Sequence, residues 1–443
     1  MEDFKLKNIA IITNTFHPVS NANSIILENL AENFKEKNMT VTIIVPNTVR
    51  NFSENYKGMT VHYVVVGTPF KSIKGIINSK NNILYKLLDL NVQVILRMID
   101  KIHALDEMNF SKLNIARGIK KIYKIIENEK IDTLISCYPS FVPHLIAKEC
   151  KIKFLHKINW IAYYLDPFSS NTYFVKKQLK YEQIEFDTLK YTDKIILTDL
   201  MVKDFKGCCL KKYLDKCIPV NFPNISDKIG ALKKDITKEN DVITCVFIGA
   251  IYQSIRNPEF FIDLFKKTNK NLKVIFVGYI YNGGIEWFNR LIENTREKID
   301  FKGPVLKENI NNIFSDADIL INIGNSISNQ MPSKIFDYIS SGKPIVNIYK
   351  LKHCPTLKYL NNYPLCLNIF EEDGITDETV EKFEKFCIEN KGKRIAFSEI
   401  EKEYYDCTPK YVAEQFIRSI ESEVNYELEP DKTICNEDPV RQR

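Results

Sequence analysis

The most constraining stretch of the chain is Asn329-Gln-Met-Pro-Ser-Lys-Ile-Phe-Asp-Tyr-Ile-Ser-Ser-Gly-Lys-Pro-Ile-Val346, which joins the apolar runs Asp318–Ile323 and Pro344–Tyr349. Short apolar runs bounded by turn residues read as buried parallel strands, and one short helix connects these two. Pro332 suits the first helical turn, where its missing N–H costs nothing, and Gly342 suits the left-handed residue just past the end. Ile335, Phe336 and Ile339 share one buried face, which leaves Ser333, Lys334 and Asp337 at or near the other side. A strand that delivers a helix N-terminus presents unpaired N–H groups and partial positive charge, a seat for phosphate. Ser333 adds a hydroxyl donor and Lys334 a full charge. Asp337, one turn in, can only accept hydrogen bonds, as a pair of sugar hydroxyls requires. Phosphate at the cap with hydroxyls one turn along describes a nucleotide or a nucleotide-sugar. Without a ligand, the same pattern is ordinary α/β punctuation.

At 443 residues the chain is too long for one core and predicts two domains of roughly 200 residues each. The first opens with the apolar run Asn8–Asn14, then the loop Thr15–Asn23 and a helix with Ile26, Leu27, Leu30, Ala31 and Phe34 on one face. A strand at Thr40–Val45 follows, and the unit is the start of a doubly wound α/β domain. Its loop contains no Gly, whereas a nicotinamide dehydrogenase needs Gly-x-Gly-x-x-Gly there, so that class loses its strongest support. Further strands are expected at Thr60–Val66, Ile131–Cys137, Lys157–Leu165, Lys194–Thr198 and Lys216–Asn221, ahead of a hinge at Phe222-Pro-Asn224. A second doubly wound unit takes strands at Val242–Gly249, Leu272–Gly278, one closing at Phe301–Val305, Asp318–Ile323, Pro344–Tyr349 and Cys366–Ile369. Helices near Asp377–Glu389, Ile400–Asp406 and Tyr411–Ile420 complete it, and residues from about Tyr426 read as a loose tail.

Ligands of open parallel sheets gather at the carboxyl ends of strands. His17 stands at one such end, Tyr138-Pro-Ser-Phe-Val-Pro-His144 follows another, and Tyr163-Tyr-Leu-Asp-Pro-Phe168 closes a third. His17 is a candidate to touch substrate, against the plainer role of a polar residue packed near a Pro. Asp166 is a candidate to orient a hydroxyl or act as a base, against merely capping the next helix.

Residues 332–346 resemble the donor-binding signature of GT-B glycosyltransferases, especially the retaining group called glycosyltransferase family 4, and the likeness extends along most of residues 240–350. In that family the helix carries the second acid of a Glu–seven residues–Glu motif and continues through Gly-x-Pro into the next strand. Counted from Gly342, the second acid falls on Asp337 and the first on Asn329, so this chain keeps the second carboxylate, shortened to Asp, and lacks the first. The resemblance implies that Asp337 holds the donor ribose and that position 329 faces the transferred sugar. It implies that Gly249 ends the strand beside the donor diphosphate. Where the family has Arg next, this chain has Ala250, and Arg256 falls close to the family's Lys. The turn Gly303–Val305 is implied to present backbone groups to the nucleobase. On the acceptor side, Asp166-Pro-Phe resembles the Asp-Pro-Trp strand end of bacterial polysaccharide glycosyltransferases. The first loop, with Asn21-Ala-Asn in place of glycines, is implied to face the acceptor, with His17, Asn21, His144 and Asp166 as its expected contacts.

The whole that follows is an α/β protein of GT-B architecture, with two Rossmann-like doubly wound domains facing a central cleft. The acceptor domain is expected over 1–222, the donor domain over 223–408, a helix returning to the first domain over 409–425, and a tail over 426–443. The implied reaction is retaining transfer of a sugar from a nucleotide-sugar, expected to be UDP-linked, to a saccharide or lipid-linked acceptor in surface polysaccharide assembly. Arg256, Lys334 and Asp166 are the expected catalytic residues. No cofactor and no metal are expected, because no Asp-x-Asp motif has a supporting context. Two rivals share the fold: a nucleotide-sugar 2-epimerase, whose acids and His are not supplied by Asn325–Gln330, and a non-catalytic nucleotide-binding subunit, suggested by the missing first acid and first cation.

Composition restricts the partners. Net charge is +6, modest for a chain of this size, whereas nucleic-acid domains carry a more basic footprint. Residues 71–130 hold twelve Lys or Arg against six Asp or Glu, so the excess has one address. Asn82–Ile99 and Ile115–Ile126 show apolar residues at helical spacing among these lysines, which suits either contact with anionic lipid or a core face with a solvated rim. Eleven Cys are scattered without a Cys-x-x-Cys pair, and the six His are unclustered. Neither a zinc site nor a disulfide framework is expected, and a reducing cytoplasm, with possible contact at the inner face of the plasma membrane, is the expected place. Met1–Lys7 runs into a strand, which predicts no signal peptide.

Overall fold

The computed structural model describes residues 7–18, 22–47, 50–66, 112–138, 140–171, 178–227, 241–281, 284–295 and 297–421. Eight strands make the first sheet: β1 Asn8–Ile12, β2 Thr40–Asn47, β3 Phe52–Tyr56, β4 Met59–Val65, β5 Thr133–Tyr138, β6 Asn159–Tyr164, β7 Lys194–Leu197 and β8 Cys217–Pro219. Their order is β3-β4-β2-β1-β5-β6-β7-β8. Six make the second: β9 Ile243–Ile248, β10 Leu272–Val277, β11 Ile299–Phe301, β12 Ile319–Ile323, β13 Ile345–Tyr349 and β14 Cys366–Phe370, ordered β11-β10-β9-β12-β13-β14. Every pairing is parallel except β3 with β4. Parallel strands are covered by helices on both faces and must be apolar on both, which is why β5 and β12 are buried at every residue.

In each sheet the strand order reverses beside the first strand. β1 pairs β2 on one side and β5 on the other, with Ile11 opposite Ile43 and Ile135. β9 pairs β10 and β12. A crevice opens at the carboxyl ends of the strands at each reversal, and that is where a doubly wound sheet takes its ligand.

One apolar cluster runs through both domains. Ile335, Phe336 and Tyr338 pack with Ile161, Tyr163 and Phe222, and the Phe222 and Phe336 rings lie 5.6 Å apart. The last helix, Pro409–Glu421, returns to the first domain. Its Phe416 meets Phe34 edge-on at 6.0 Å and Tyr163 at 5.0 Å. Just before it, the Ile225 N–H donates to the Cys407 carbonyl at 3.0 Å.

The hairpin β3–β4 was not legible in sequence. β3 reads Phe-Ser-Glu-Asn-Tyr and lies at the sheet edge, half-buried at alternate residues, so it lacks an apolar run. Its turn, Lys57-Gly58, has both φ angles positive, at 52° and 74°, the conformation that suits a tight hairpin. The short helix between β12 and β13 spans Lys334–Ser340, so Pro332 stands before the cap residue Ser333 instead of inside the first turn. The Pro332 carbonyl still accepts from the Ile335 N–H at 3.1 Å. Gly342 has φ +70°, and a Cβ there would sit 2.3 Å from the Ile395 carbonyl oxygen, so both backbone and space require glycine.

In the helix Lys112–Asn128, Ile119, Ile122, Ile125 and Ile126 face the core while Lys120, Lys121 and Lys124 are exposed. The expected helix Asn82–Ile99, most of the basic region 71–130, Asn21, the segment 228–240 and the tail 426–443 lie outside the described residues. Among the described residues no helix is long and apolar enough to cross a membrane.

Candidate functional site

The site is built at the carboxyl end of β9. The strand is held against the short helix by Tyr338, a fully buried residue whose hydroxyl accepts from the Ile248 N–H at 2.8 Å and donates to the Ile248 carbonyl at 3.3 Å. Burial pushes that phenol well above its ordinary range. The next residue, Gly249, touches the end of β10, where Gly278 sits at φ +138°. A Cβ on Gly278 would lie 1.9 Å from the Gly249 carbonyl oxygen, so no other residue fits.

From this platform the chain turns to Arg256. Its backbone bridges Tyr252 in both directions, at 3.0 and 3.2 Å. Its Nε donates to the Asn325 Oδ1 at 3.0 Å and its Nη1 to the Ala250 carbonyl at 3.4 Å. Asn325 is buried and is itself oriented by donating to the Gln330 carbonyl at 3.2 Å. Desolvation lowers the pKa of the guanidinium from its ordinary value, although it stays charged, and none of the carboxylates among the described residues pairs with it. A desolvated cation held only by neutral oxygens is a poised anion site.

Beside it, Ser333 caps the short helix without a side-chain capping bond. Lys334 Nζ pairs with the Asp337 Oδ2 at 2.7 Å, on side chains about one third exposed. In this state the two neutralise one another.

The opposite wall belongs to the first domain. Asp166 follows β6, half-buried on the cavity wall, with no hydrogen bond or ion pair among the described residues, and desolvation raises its carboxyl to about 6. A cavity of about 290 Å³ between the walls is lined by Asp166, Asn23, Gly249, Arg256, Ser333 and Lys334, closed by Ile26, Ala250, Phe222 and Met331. Five residues singled out in sequence therefore meet at one place, drawn from three separate loops.

Others do not meet there. His144 is fully buried: its Nδ1 lies 2.6 Å from the Ser136 Oγ, its ring packs on Phe141 and Tyr164, and burial lowers its pKa to about 3. It is a core residue, and an acceptor contact through it is ruled out by that burial. His17 stacks on Tyr56 at 4.1 Å and is not among the cavity's lining residues. The Asn329 amide is directed across the cleft, donating to the Ser170 carbonyl at 3.2 Å and to the Asp204 Oδ2 at 3.3 Å, so it bridges the domains instead of lining the cavity. Gly303, at φ +65°, accepts from the Gly278 N–H at 2.9 Å, one strand away from the cavity, and Val305 packs half-buried on the core.

Residues 243–355 match the family described as glycosyl transferases group 1. A search among curated proteins finds no match. Solved structures superpose over nearly the whole chain at low identity. Sucrose-phosphate synthase from Thermosynechococcus elongatus aligns with TM-score 0.59 and 11% identity, covering 93% of this chain and 98% of that one. A glycosyltransferase from Rickettsia africae gives 0.59 and 13%, with 95% and 100% covered. HepE of Anabaena, solved in complex with UDP and glucose, gives 0.60 and 10%, with 94% and 99% covered. Residues 243–355 form a group 1 glycosyl transferase domain, and the chain as a whole has the GT-B fold of the structures it superposes on.

The residues that sequence reasoning passed over are those that position others. Tyr338 was hidden among the apolar residues of its helix, and Asn325 in a polar loop whose fold is not periodic. Asp204, which fixes Asn329 and accepts from the Ser170 Oγ at 2.8 Å, lies 125 residues from its partner in sequence. None left a local signal.

Proposed function

We propose that the enzyme transfers a sugar from a nucleotide-sugar, UDP-linked, to a saccharide or lipid-linked acceptor, with retention of the anomeric configuration and without a metal, in surface polysaccharide assembly as a family 4 glycosyltransferase. The observation that carries this is Arg256: a half-buried, desolvated guanidinium without a carboxylate partner among the described residues, on one cavity wall with Ser333 and Lys334, facing a single half-buried carboxyl at Asp166. The donor diphosphate is held by Arg256, Lys334 and the Ser333 hydroxyl, and Asp337 takes the ribose hydroxyls once Lys334 turns to phosphate. HepE of Anabaena, with its printed complexes of UDP and of UDP with glucose, supports a uridine donor on this fold.

As the bond between the anomeric carbon and the phosphate oxygen breaks, charge develops on the leaving diphosphate, and preformed cations in a dry site stabilise it most. The acceptor oxygen bonds to the same face of the anomeric carbon, and its proton passes to the departing phosphate oxygen. The cavity lining offers Asp166 as its only carboxylate, so it does not present the close carboxylate pair that a double displacement uses. Asp166, ionised above pH 6, accepts from the acceptor hydroxyl and aims it.

The test is incubation with a panel of UDP-, GDP- and ADP-hexoses, following nucleotide release with and without saccharide acceptors. Release of UDP that survives EDTA and that is lost in Arg256→Ala supports the assignment. Binding of nucleotide-sugar with no release under any acceptor, or an epimerised sugar still attached to its nucleotide, sinks it. For the basic region, sedimentation with anionic vesicles at low salt decides, and no co-sedimentation removes membrane contact.

A further inference from the structure

A second cavity, of about 710 Å³, adjoins the first along the cleft, and Phe222 and Met331 line both. Its walls come from both domains. The helix Asp199–Lys206 after β7 contributes Asp199 and Lys203, and the segment after β13 contributes Lys352 and Lys358. The floor is apolar, with Phe222, Cys354 and Tyr359 all buried.

The charges on the rim are not balanced. Lys358 Nζ pairs with the Asp199 Oδ2 at 2.8 Å and donates to the Asn221 Oδ1 at 2.9 Å, so that lysine and that carboxylate cancel. Lys203 and Lys352, both exposed, pair with no carboxylate among the described residues. The two unpaired cations line one cavity from opposite domains, and an anion placed in it is attracted to both.

We propose that this cavity seats the acceptor, and that the acceptor carries an anionic group, a phosphate or a carboxylate, between Lys203 and Lys352. The assignment rests on the sugar-transfer reading of the adjoining cavity and adds the class of molecule that receives the sugar. The smaller cavity, about 290 Å³, lies just under the range of roughly 300–1,000 Å³ for small-molecule sites, and the larger, about 710 Å³, falls well inside it, so the larger has room for an acceptor. An apolar, partly aromatic floor suits the carbon face of a sugar ring or an aliphatic stem, while a cationic rim holds its charged end. Because the two lysines belong to different domains, the same anion draws the cleft together over the donor.

The experiment compares glucose, glucose 6-phosphate and glucuronate as probes by ligand-observed NMR. It uses the wild type, K203E/K352E, and the control K382E/K385E, which alters two exposed lysines on the helix Asp377–Asn390. The anionic sugars are expected to bind the wild type about tenfold more tightly than glucose at low salt, with the margin shrinking as salt is added. That margin disappears in K203E/K352E and persists in the control. The two anionic probes separate phosphate from carboxylate as the preferred group. Equal binding of all three probes by the wild type, or a margin that survives in K203E/K352E, overturns the proposal. UDP melting shifts on the same proteins report separately: K203E/K352E keeps the wild-type shift, whereas a wild type without one defeats the donor assignment whatever the anionic probes show.

Discussion

The two walls of the cleft are built on opposite plans. On the proposed donor wall, the strand end and Arg256 are held by the fold, while Lys334 is held by Asp337. Tyr338 clamps Ile248, Gly278 lets β9 and β10 close to van der Waals contact, and Asn325 orients Arg256 through a chain of neutral hydrogen bonds. On the proposed acceptor wall, one half-buried carboxyl, Asp166, stands without a partner among the described residues, and the neighbouring side chains are Asn23 and Ile26. The difference fits the division of labour proposed for the two walls. A diphosphate has constant shape and charge, so fixed dipoles and cations serve it without reorganisation. An acceptor hydroxyl needs a single acceptor at the right place, and the rest of the molecule is recognised elsewhere.

The largest effect that would break this contrast is expected at Arg256. Arg256→Ala should lower kcat/KM about 10²–10³-fold, near the loss seen when one preformed donor to a developing charge is removed, roughly 3–4 kcal/mol. Arg256→Lys should recover only part of it, since a point charge does not reproduce the planar fork. Steady-state UDP release at saturating acceptor is the measurement. A change below fivefold would place the diphosphate elsewhere.

Asp166→Asn should act in two directions. Turnover falls about 10²-fold, and the wild-type loss of rate as pH drops through about 6 disappears. Stability moves the other way. The folded carboxyl titrates at about 6 against an ordinary 3.8, so the folded state binds the proton more tightly than the unfolded one. The wild type therefore loses stability as pH rises from about 4 through about 6, by roughly 3 kcal/mol in the limit of full burial. Asn escapes that loss, and its melting temperature should exceed the wild type's at pH 8 but match it at pH 4. A variant that is both slower and less stable at pH 8 would make Asp166 a structural cap.

Tyr338→Phe should cost about 1–3 kcal/mol of stability, because the buried Ile248 N–H loses the hydroxyl it donates to, and should raise KM for the donor more than it lowers kcat. Chemical unfolding and donor titration read the two terms. The smallest stability effect is expected at the exposed pair: Lys334→Ala or Asp337→Asn should shift stability by no more than about 0.5 kcal/mol while weakening nucleotide binding. If nucleotide affinity is unchanged in both, the donor wall does not extend to the short helix.

Much of this molecule was legible along the chain. Parallel strands buried on both faces must be apolar on both, so β1, β5, β9, β12 and β13 announce themselves within a few residues. Gly342 marks a left-handed turn because only glycine adopts it cheaply, and the stretch from Pro332 to Gly342 shows where a helix must fit. The edge strand β3 was not legible, since a strand with one solvated face and polar alternate residues resembles a loop. Site residues divide the same way. Arg256, Ser333 and Lys334 follow strand ends at fixed local spacing, and that spacing is a property of sequence.

What only the tertiary structure decided was which of these side chains share a cavity. His144 and Asp166 both follow strand ends in the first domain, yet packing against Ser136 and Phe141 takes one into the core and leaves the other on the cleft. Asn329 lies on the same loop as Ser333 but is directed to Asp204 in the other domain. Local pattern fixes the backbone because propensity and burial act over a few residues. The partner of a polar side chain is set by whatever surface the fold brings against it, often more than a hundred residues away, and no stretch of sequence contains both halves of that contact.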